Sequence, residues 1–161
     1  MCKPAIDLTV RPQSQPYRVL ISLEDSVNNE LIRLENDGIL ETIDSSPWVS
    51  NMVVIRKPDG GVRICCDLSL ASKAVIPNRY PLPTLGELTT DFAEAKYFFK
   101  LDLKWGYLQV KLHKDSQDIT DMITPRGVYC WTRMPFGLSS VPNAFQKIIA
   151  IIVKGVDGAR N

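Results

Sequence analysis

Hydrophobic and polar positions follow two rhythms along this chain. Between residues 26 and 40 apolar side chains recur at helical spacing, with Leu31, Ile32 and Leu34 on one face. Ser26 is the predicted N-cap and Gly38 the predicted stop. Ser45-Ser46-Pro47 then breaks the chain, and the rhythm shortens. Trp48 to Arg56 contains the run Met52-Val53-Val54-Ile55, and Val62 to Leu68 answers it across Pro58-Asp59-Gly60-Gly61. Two strand-prone runs around such a turn predict a hairpin. Its arms bring Arg56, Lys57 and Arg63 toward one end.

The second half repeats the mixture. Tyr97 to Leu103 reads as a buried strand with Asp102 inside its apolar run, and Leu108 to Leu112 as a further alternating strand. Ile119–Thr124 and Val128–Met134 read as a second hairpin around Pro125-Arg126-Gly127. Gly137 to Pro142 reads as a loop entering a helix, capped by Ser139 or Ser140 and carrying Phe145, Ile148, Ile149, Ile152 and Val153. Residues 1–24 form an extended, proline-bearing lead-in. Pro77, Pro81 and Pro83 mark an extended crossing, and Thr84 caps a short helix through Phe92. Strands and helices mixed without regular alternation predict an α+β fold in one structural unit.

Composition narrows the chemistry. At 161 residues with 45% hydrophobic and 23% charged side chains, the chain is an ordinary globular domain. No apolar run approaches the roughly 20 residues of a membrane span, and Met1-Cys2-Lys3-Pro4 is no signal peptide. Cys2, Cys65, Cys66 and Cys130 form neither a CxxC pair nor a disulfide framework. That pattern suits a reducing, intracellular, cytoplasmic setting. With His113 as the sole histidine, a His/Cys zinc site or a histidine-based triad has little to build on. The net charge is +1, but residues 1–44 carry four Lys/Arg against eight Asp/Glu, leaving the remainder basic. A basic body is compatible with a polyanionic partner, and equally with ordinary solvated charge.

The candidate chemistry centres on Asp102. A carboxylate inside a buried strand is costly unless it is paired or binds a cation. A salt-bridged or capped strand end is the plain alternative. Here a resemblance enters. Ser45-Ser46-Pro47-Trp48, Arg56-Lys57-Pro58-Asp59-Gly60-Gly61-Val62-Arg63, Asn78-Arg79-Tyr80-Pro81-Leu82-Pro83, Lys100-Leu101-Asp102-Leu103, Gly106-Tyr107, Arg133-Met134-Pro135-Phe136-Gly137-Leu138 and Phe145-Gln146 occur in this order. Together they resemble the reverse transcriptase domain of gypsy-class LTR retrotransposons and retroviruses, over residues 10 to 155.

The resemblance implies a right-hand polymerase fold, with fingers over residues 25–97 and a partial palm over 98–161. It implies RNA-directed DNA polymerase ancestry, a template–primer of RNA or DNA, deoxynucleoside triphosphates and Mg²⁺. Asp102 matches the first catalytic, metal-binding carboxylate. Lys57 and Arg63 match the residues that hold the triphosphate, which suits a cationic hairpin; a solvated hairpin edge is the alternative. Tyr107 matches the aromatic beneath the incoming sugar, with core packing as a compatible role. Leu103 and Phe136 match further nucleotide-site positions. Pro135, Gly137 and Gln146 match template–primer support.

Departures accompany the match. The family's Tyr-x-Asp-Asp motif does not occur before Asn161, nor do thumb, connection or ribonuclease H regions. The expectation is an incomplete metal site, no activity for this chain alone, and association through an open palm-sheet edge. A non-catalytic nucleic-acid- or protein-binding fragment is the alternative function. Asp121 and Met122 replace the usual Ala-Phe, Ser69 and Ser72 the usual Arg and Asn, and Trp105 a smaller residue. These look like drift, and a buried Asp121 predicts a perturbed carboxyl.

Overall fold

The computed structural model describes residues 5–6, 20–76, 84, 86, 89 and 95–159. Helix α1 runs Glu24–Asn36 and buries Val27, Leu31 and Leu34; Ile32, expected among its apolar positions, is instead exposed. It starts two residues before Ser26, and its N-cap, Leu23, contributes no side-chain bond. The acidic first turn, Glu24 and Asp25, complements the helix dipole instead. Gly38 ends it as predicted: at φ 62 it lets Ile39 N–H donate to the Leu34 carbonyl at 2.9 Å.

Five strands form one sheet: β2 (Leu40–Ile43), β3 (Ser50–Arg56), β4 (Val62–Asp67), β6 (Met122–Thr124) and β7 (Gly127–Trp131). Their order is β2-β7-β6-β3-β4, antiparallel except where β3 meets β6. A two-residue strand β1 (Ala5–Ile6) pairs with β5 (Val75–Ile76) outside it. Along β4, Val62, Ile64 and Cys66 point into the core while Arg63 is exposed, the period expected of a half-buried strand. Because β6 pairs only with Ser50 and Asn51, the far half of β3 leaves the sheet, and β3–β4 continues as a two-stranded arm. At its tip Lys57 N–H donates to the Gly61 carbonyl at 2.8 Å, and Gly60 takes φ 84.

Helix α1 packs on β4 and β2. The core gathers Trp131, Tyr129, Leu31, Leu40, Leu68, Ile119, Met122 and Met134. Helix α2 (Ser69–Ala74), which the sequence pattern did not predict, buries Ala71 and Ala74 beneath the chain. Helix α3 (Val141–Val153) has Ser140 at its N-cap position and Pro142 in its first turn, but the expected side-chain cap bond is not formed. Only Val141 of α3 is fully buried; Ile151 and Ile152 are 63% and 66% exposed. Among the described residues no helix is long and apolar enough to cross a membrane. The observed fold is α+β, as expected.

Several expectations need correction. Tyr97–Leu103 is not a strand: it is irregular, and Phe99 and Leu101 are more than 90% exposed. No described strand lies beside it, and an extended segment without a hydrogen-bonding neighbour does not form a ladder. Asp102 is therefore exposed, not buried. Leu108–Leu112 is not a strand either: Gly106–Gln109 form a 3₁₀ turn, and a single bridge joins Lys111 to Arg133. Residues 114–116 and 118–120 are 3₁₀ turns, which shortens the second hairpin to β6 and β7. The first hairpin begins at Ser50 rather than Trp48, and β2 was not foreseen. The crossing at Pro77–Pro83, all but Thr84, Gly86 and Thr89 of the helix expected over Thr84–Phe92, and nearly all of the lead-in lie outside the described residues.

A candidate nucleotide site around Phe136

Residues singled out in the sequence line two cavities that share one aromatic ring, Phe136. Asp102, Leu103, Tyr107, Phe136 and Gln146 line an open cavity of about 420 Å³. Lys57 and Arg63 line an adjoining crevice of about 30 Å³, which Phe136 also walls. Three elements build this arrangement. The β3–β4 arm carries the two cations, the 3₁₀ turn carries Tyr107, and the loop before α3 carries Phe136.

The aromatic wall has a defined geometry. Tyr107 meets Phe145 edge-on at 4.9 Å between ring centroids and 79° between planes, and meets Phe136 at 5.3 Å and 49°. Both lie in the range where aromatic pairs attract beyond area burial. The Arg63 guanidinium stands 5.8 Å from the Phe136 centroid, within cation–π reach. Phe145, expected as helix packing and template-side support, also lines the cavity and packs edge-on against Tyr107. Gly106, directly before Tyr107, is the signal for it, since there is no room for a Cβ against that ring.

The loop holding Phe136 is tied down on both sides. Pro135 is fully buried. Gly137 adopts φ 99, and a Cβ there would lie 3.0 Å from the Cys66 carbonyl oxygen. Ser72 Oγ donates to the Gly137 carbonyl at 3.4 Å and accepts from Ser139 N–H at 3.2 Å. Ser69 donates to the Asp67 carboxylate through both N–H and Oγ, at 3.2 and 2.6 Å. These bonds hold Asp67 below the ordinary carboxylate range. The two serines read as drift thus have structural partners.

Asp102 is a hard oxygen donor at the rim of the cavity, and among the described residues no group of three His, Cys, Asp or Glu side chains gathers as a metal cluster. One carboxylate fits a Mg²⁺ ion that draws its other ligands from phosphates and water. Asp121, by contrast, is only 2% exposed, with Oδ1 unpartnered among the described residues. Desolvation pushes its carboxyl up to about 7, a rise that the nearby Ser46 hydroxyl and Cys130 thiol oppose. The perturbation expected from the sequence is present, outside the cavity lining.

Sequence reasoning missed Arg33 and misread Trp105. The Arg33 guanidinium lies 4.3 Å from the Trp105 ring centroid, and both line the crevice of Lys57 and Arg63. No local pattern announces a contact between residues so far apart in the chain.

The family model described as reverse transcriptase (RNA-dependent DNA polymerase) matches residues 55–160. The retrovirus-related Pol polyprotein of transposon 412 from Drosophila melanogaster is 37% identical over 147 residues, covering 88% of this chain and 12% of that polyprotein. The corresponding polyprotein of transposon gypsy is 31% identical over 147 residues, again 88% of this chain and 14% of its own length. The chain therefore spans about an eighth of these relatives. The native prototype foamy virus protease–reverse transcriptase superposes with a TM-score of 0.81 at 23% identity, over 97% of this chain and 21% of that one. A foamy viral protease–reverse transcriptase in complex with double-stranded DNA gives 0.77 at 25% identity, over 94% and 26%. Motif order, a fold shared with solved polymerases and identity with retrotransposon polyproteins agree: the chain belongs to the reverse transcriptase (RNA-dependent DNA polymerase) family.

Proposed function

We propose that this chain supplies the nucleotide-holding part of an RNA-directed DNA polymerase site, with fingers over residues 25–97 after a lead-in over 1–24, and part of the palm over 98–161. The observation that carries the reading is Phe136, one ring shared by the Asp102–Tyr107 cavity and the Lys57–Arg63 crevice. A triphosphate needs cations beside an aromatic and apolar cradle for its nucleoside, and these two spaces adjoin. Lys57 and Arg63 hold phosphate oxygens, Arg63 through its fork. Tyr107, Leu103 and Phe136 shape the sugar and base side. Pro135, Gly137 and Gln146 support the template–primer. Asp102 would hold Mg²⁺, which neutralises charge on the transferring phosphate. Foamy viral relatives in complex with double-stranded DNA or an RNA/DNA hybrid support nucleic acid as the partner.

Two-metal transfer needs more carboxylates than Asp102. In this reading the chain alone binds nucleotide without extending a primer. Primer extension with Mg²⁺ and deoxynucleotides tests this. Extension abolished by Asp102→Asn would overturn the claim of inactivity. Retention of a primer–template hybrid that weakens with salt and is lost in Lys57→Ala/Arg63→Ala supports the reading; no retention at low salt sinks it.

The exposed apolar side chains of residues 97–103 and of Ile151 and Ile152 favour a second reading, a fragment that associates with protein. Sedimentation at rising concentration decides it, because a compact monomer throughout excludes association.

A further inference from the structure

Trp105 is the one non-glycine with positive φ among the described residues, at φ 53 and ψ 45. For a bulky L-residue the left-handed region is unfavourable, and it persists only where the surroundings over-determine it. Two cations supply that constraint. The Arg33 guanidinium lies 4.3 Å from the ring centroid, and the Lys104 ammonium lies 5.4 Å from it. Arg33 is itself fixed on α1: Nε and Nη2 donate to Glu30 at 2.8 and 2.9 Å, and Nη1 donates to Asp37 at 2.7 Å. A guanidinium held by three charge-assisted bonds is a rigid plate for an aromatic ring. The ring it holds sits between Asp102 and Tyr107 in sequence and opens directly into the 3₁₀ turn at Gly106.

We propose that Arg33 is a positioning residue for the nucleotide site: it clamps Trp105 to α1 and thereby sets the turn that presents Asp102 and Tyr107 to the cavity. The proposal rests on reading that cavity as a nucleotide site. Arg33 also lines the Lys57–Arg63 crevice, but Glu30 and Asp37 engage its guanidinium, so in this scheme it acts through the tryptophan and not through phosphate. Helix α1, far from the cavity in sequence, becomes part of its scaffold.

The test uses the ¹⁵N-labelled chain, whose three tryptophans give three indole signals in a ¹H–¹⁵N spectrum. Trp105→Phe identifies the reporter, and the buried Trp48 and Trp131 report the fold. Without ligand, Arg33→Ala shifts the Trp105 signal and leaves the other two in place. In titration with magnesium deoxythymidine triphosphate, Arg33→Ala weakens binding about five-fold, the scale of a lost cation–π pair with its ordering effect. Trp105→Gly, which accepts the same backbone angles, weakens it equally. The double variant is no worse than either single one, because clamp and ring act as a unit. Arg33→Lys, which keeps the charge and loses the fork, falls between. If Arg33→Ala perturbs the core indoles, Trp105→Gly carries the binding test. Binding lost in Lys57→Ala/Arg63→Ala but unchanged in Arg33→Ala, or losses that add in the double variant, overturns the clamp alone. No binding by the unaltered chain, or binding indifferent to Lys57 and Arg63, overturns the nucleotide-site reading and the clamp with it.

Discussion

Phe145 presses on Gly106: a Cβ on the glycine would stand 2.8 Å from the ring's Cζ and 3.4 Å from Cε2. Gly106→Ala therefore pushes the ring away from its edge-on contact with Tyr107. The expected cost is about 1 kcal/mol, the low end of overpacking, because a ring tip can yield. Pairing it with Phe145→Leu makes room and recovers part of the loss. Urea unfolding of the two single variants and the double decides it, and strictly additive losses would refute the contact.

Gly137 and Gly38 both have positive φ, but only Gly137 is also crowded. Around Gly38 nothing lies within 4 Å of a built Cβ, whereas at Gly137 the Cys66 carbonyl oxygen is 3.0 Å away. Gly38→Ala costs about 1 kcal/mol, the price of the left-handed region. Gly137→Ala costs more, about 2 to 3 kcal/mol, as strained backbone meets backbone oxygen. It also displaces Phe136. Equal losses in denaturant melts would show that the close approach is absent.

Asp121 makes stability depend on pH in an unusual direction. Its folded carboxyl titrates at about 7, against 3.8 ordinarily, because burial penalises the charge. The folded chain keeps this proton where the unfolded chain has released it. Stability from this group is full below about pH 4, falls as pH rises, and is lost above about 7. Asp121→Asn removes the dependence. The expected outcome is a melting temperature roughly 5 °C higher at pH 8 and little changed at pH 4.5. A parallel shift at both values would contradict it.

The adjacent thiols differ in reactivity. Cys65 is half-buried beside Arg63; burial raises its pKa and the guanidinium lowers it. Cys66 and Cys130 are buried, and desolvation pushes both far up. Under native conditions iodoacetamide modifies Cys65 well ahead of Cys66 and Cys130. Peptide mapping after a timed reaction checks the order, and modification of Cys66 first would place the wrong face of β4 inward.

Local signals were read well where local chemistry decides the outcome. Gly38, the Pro58–Gly61 turn and the alternation of Val62, Ile64 and Cys66 all follow from a few neighbouring residues. Several motif residues far apart in the chain line two cavities that share Phe136, with Lys57 and Arg63 in one and Tyr107 in the other. What the pattern misjudged depends on distant partners. Tyr97–Leu103 is strand-like in composition, yet no described strand offers it hydrogen bonds. β2 reads as polar, yet it forms because β7 lies beside it. The contact between Arg33 and Trp105 joins residues with no shared periodicity.

The strand order also sets a timetable. The β3–β4 arm closes across only a few residues, so it can form as soon as it is made. β2 must wait for β7, which lies nearly ninety residues later in the chain. At ribosomal speeds of about 5–20 residues per second, that is roughly 4–18 s during which Leu40–Ile43 lack their ladder partners. During synthesis the cationic arm is complete well before the sheet that anchors it, and the growing chain carries β2 as an unpaired strand until Trp131 emerges.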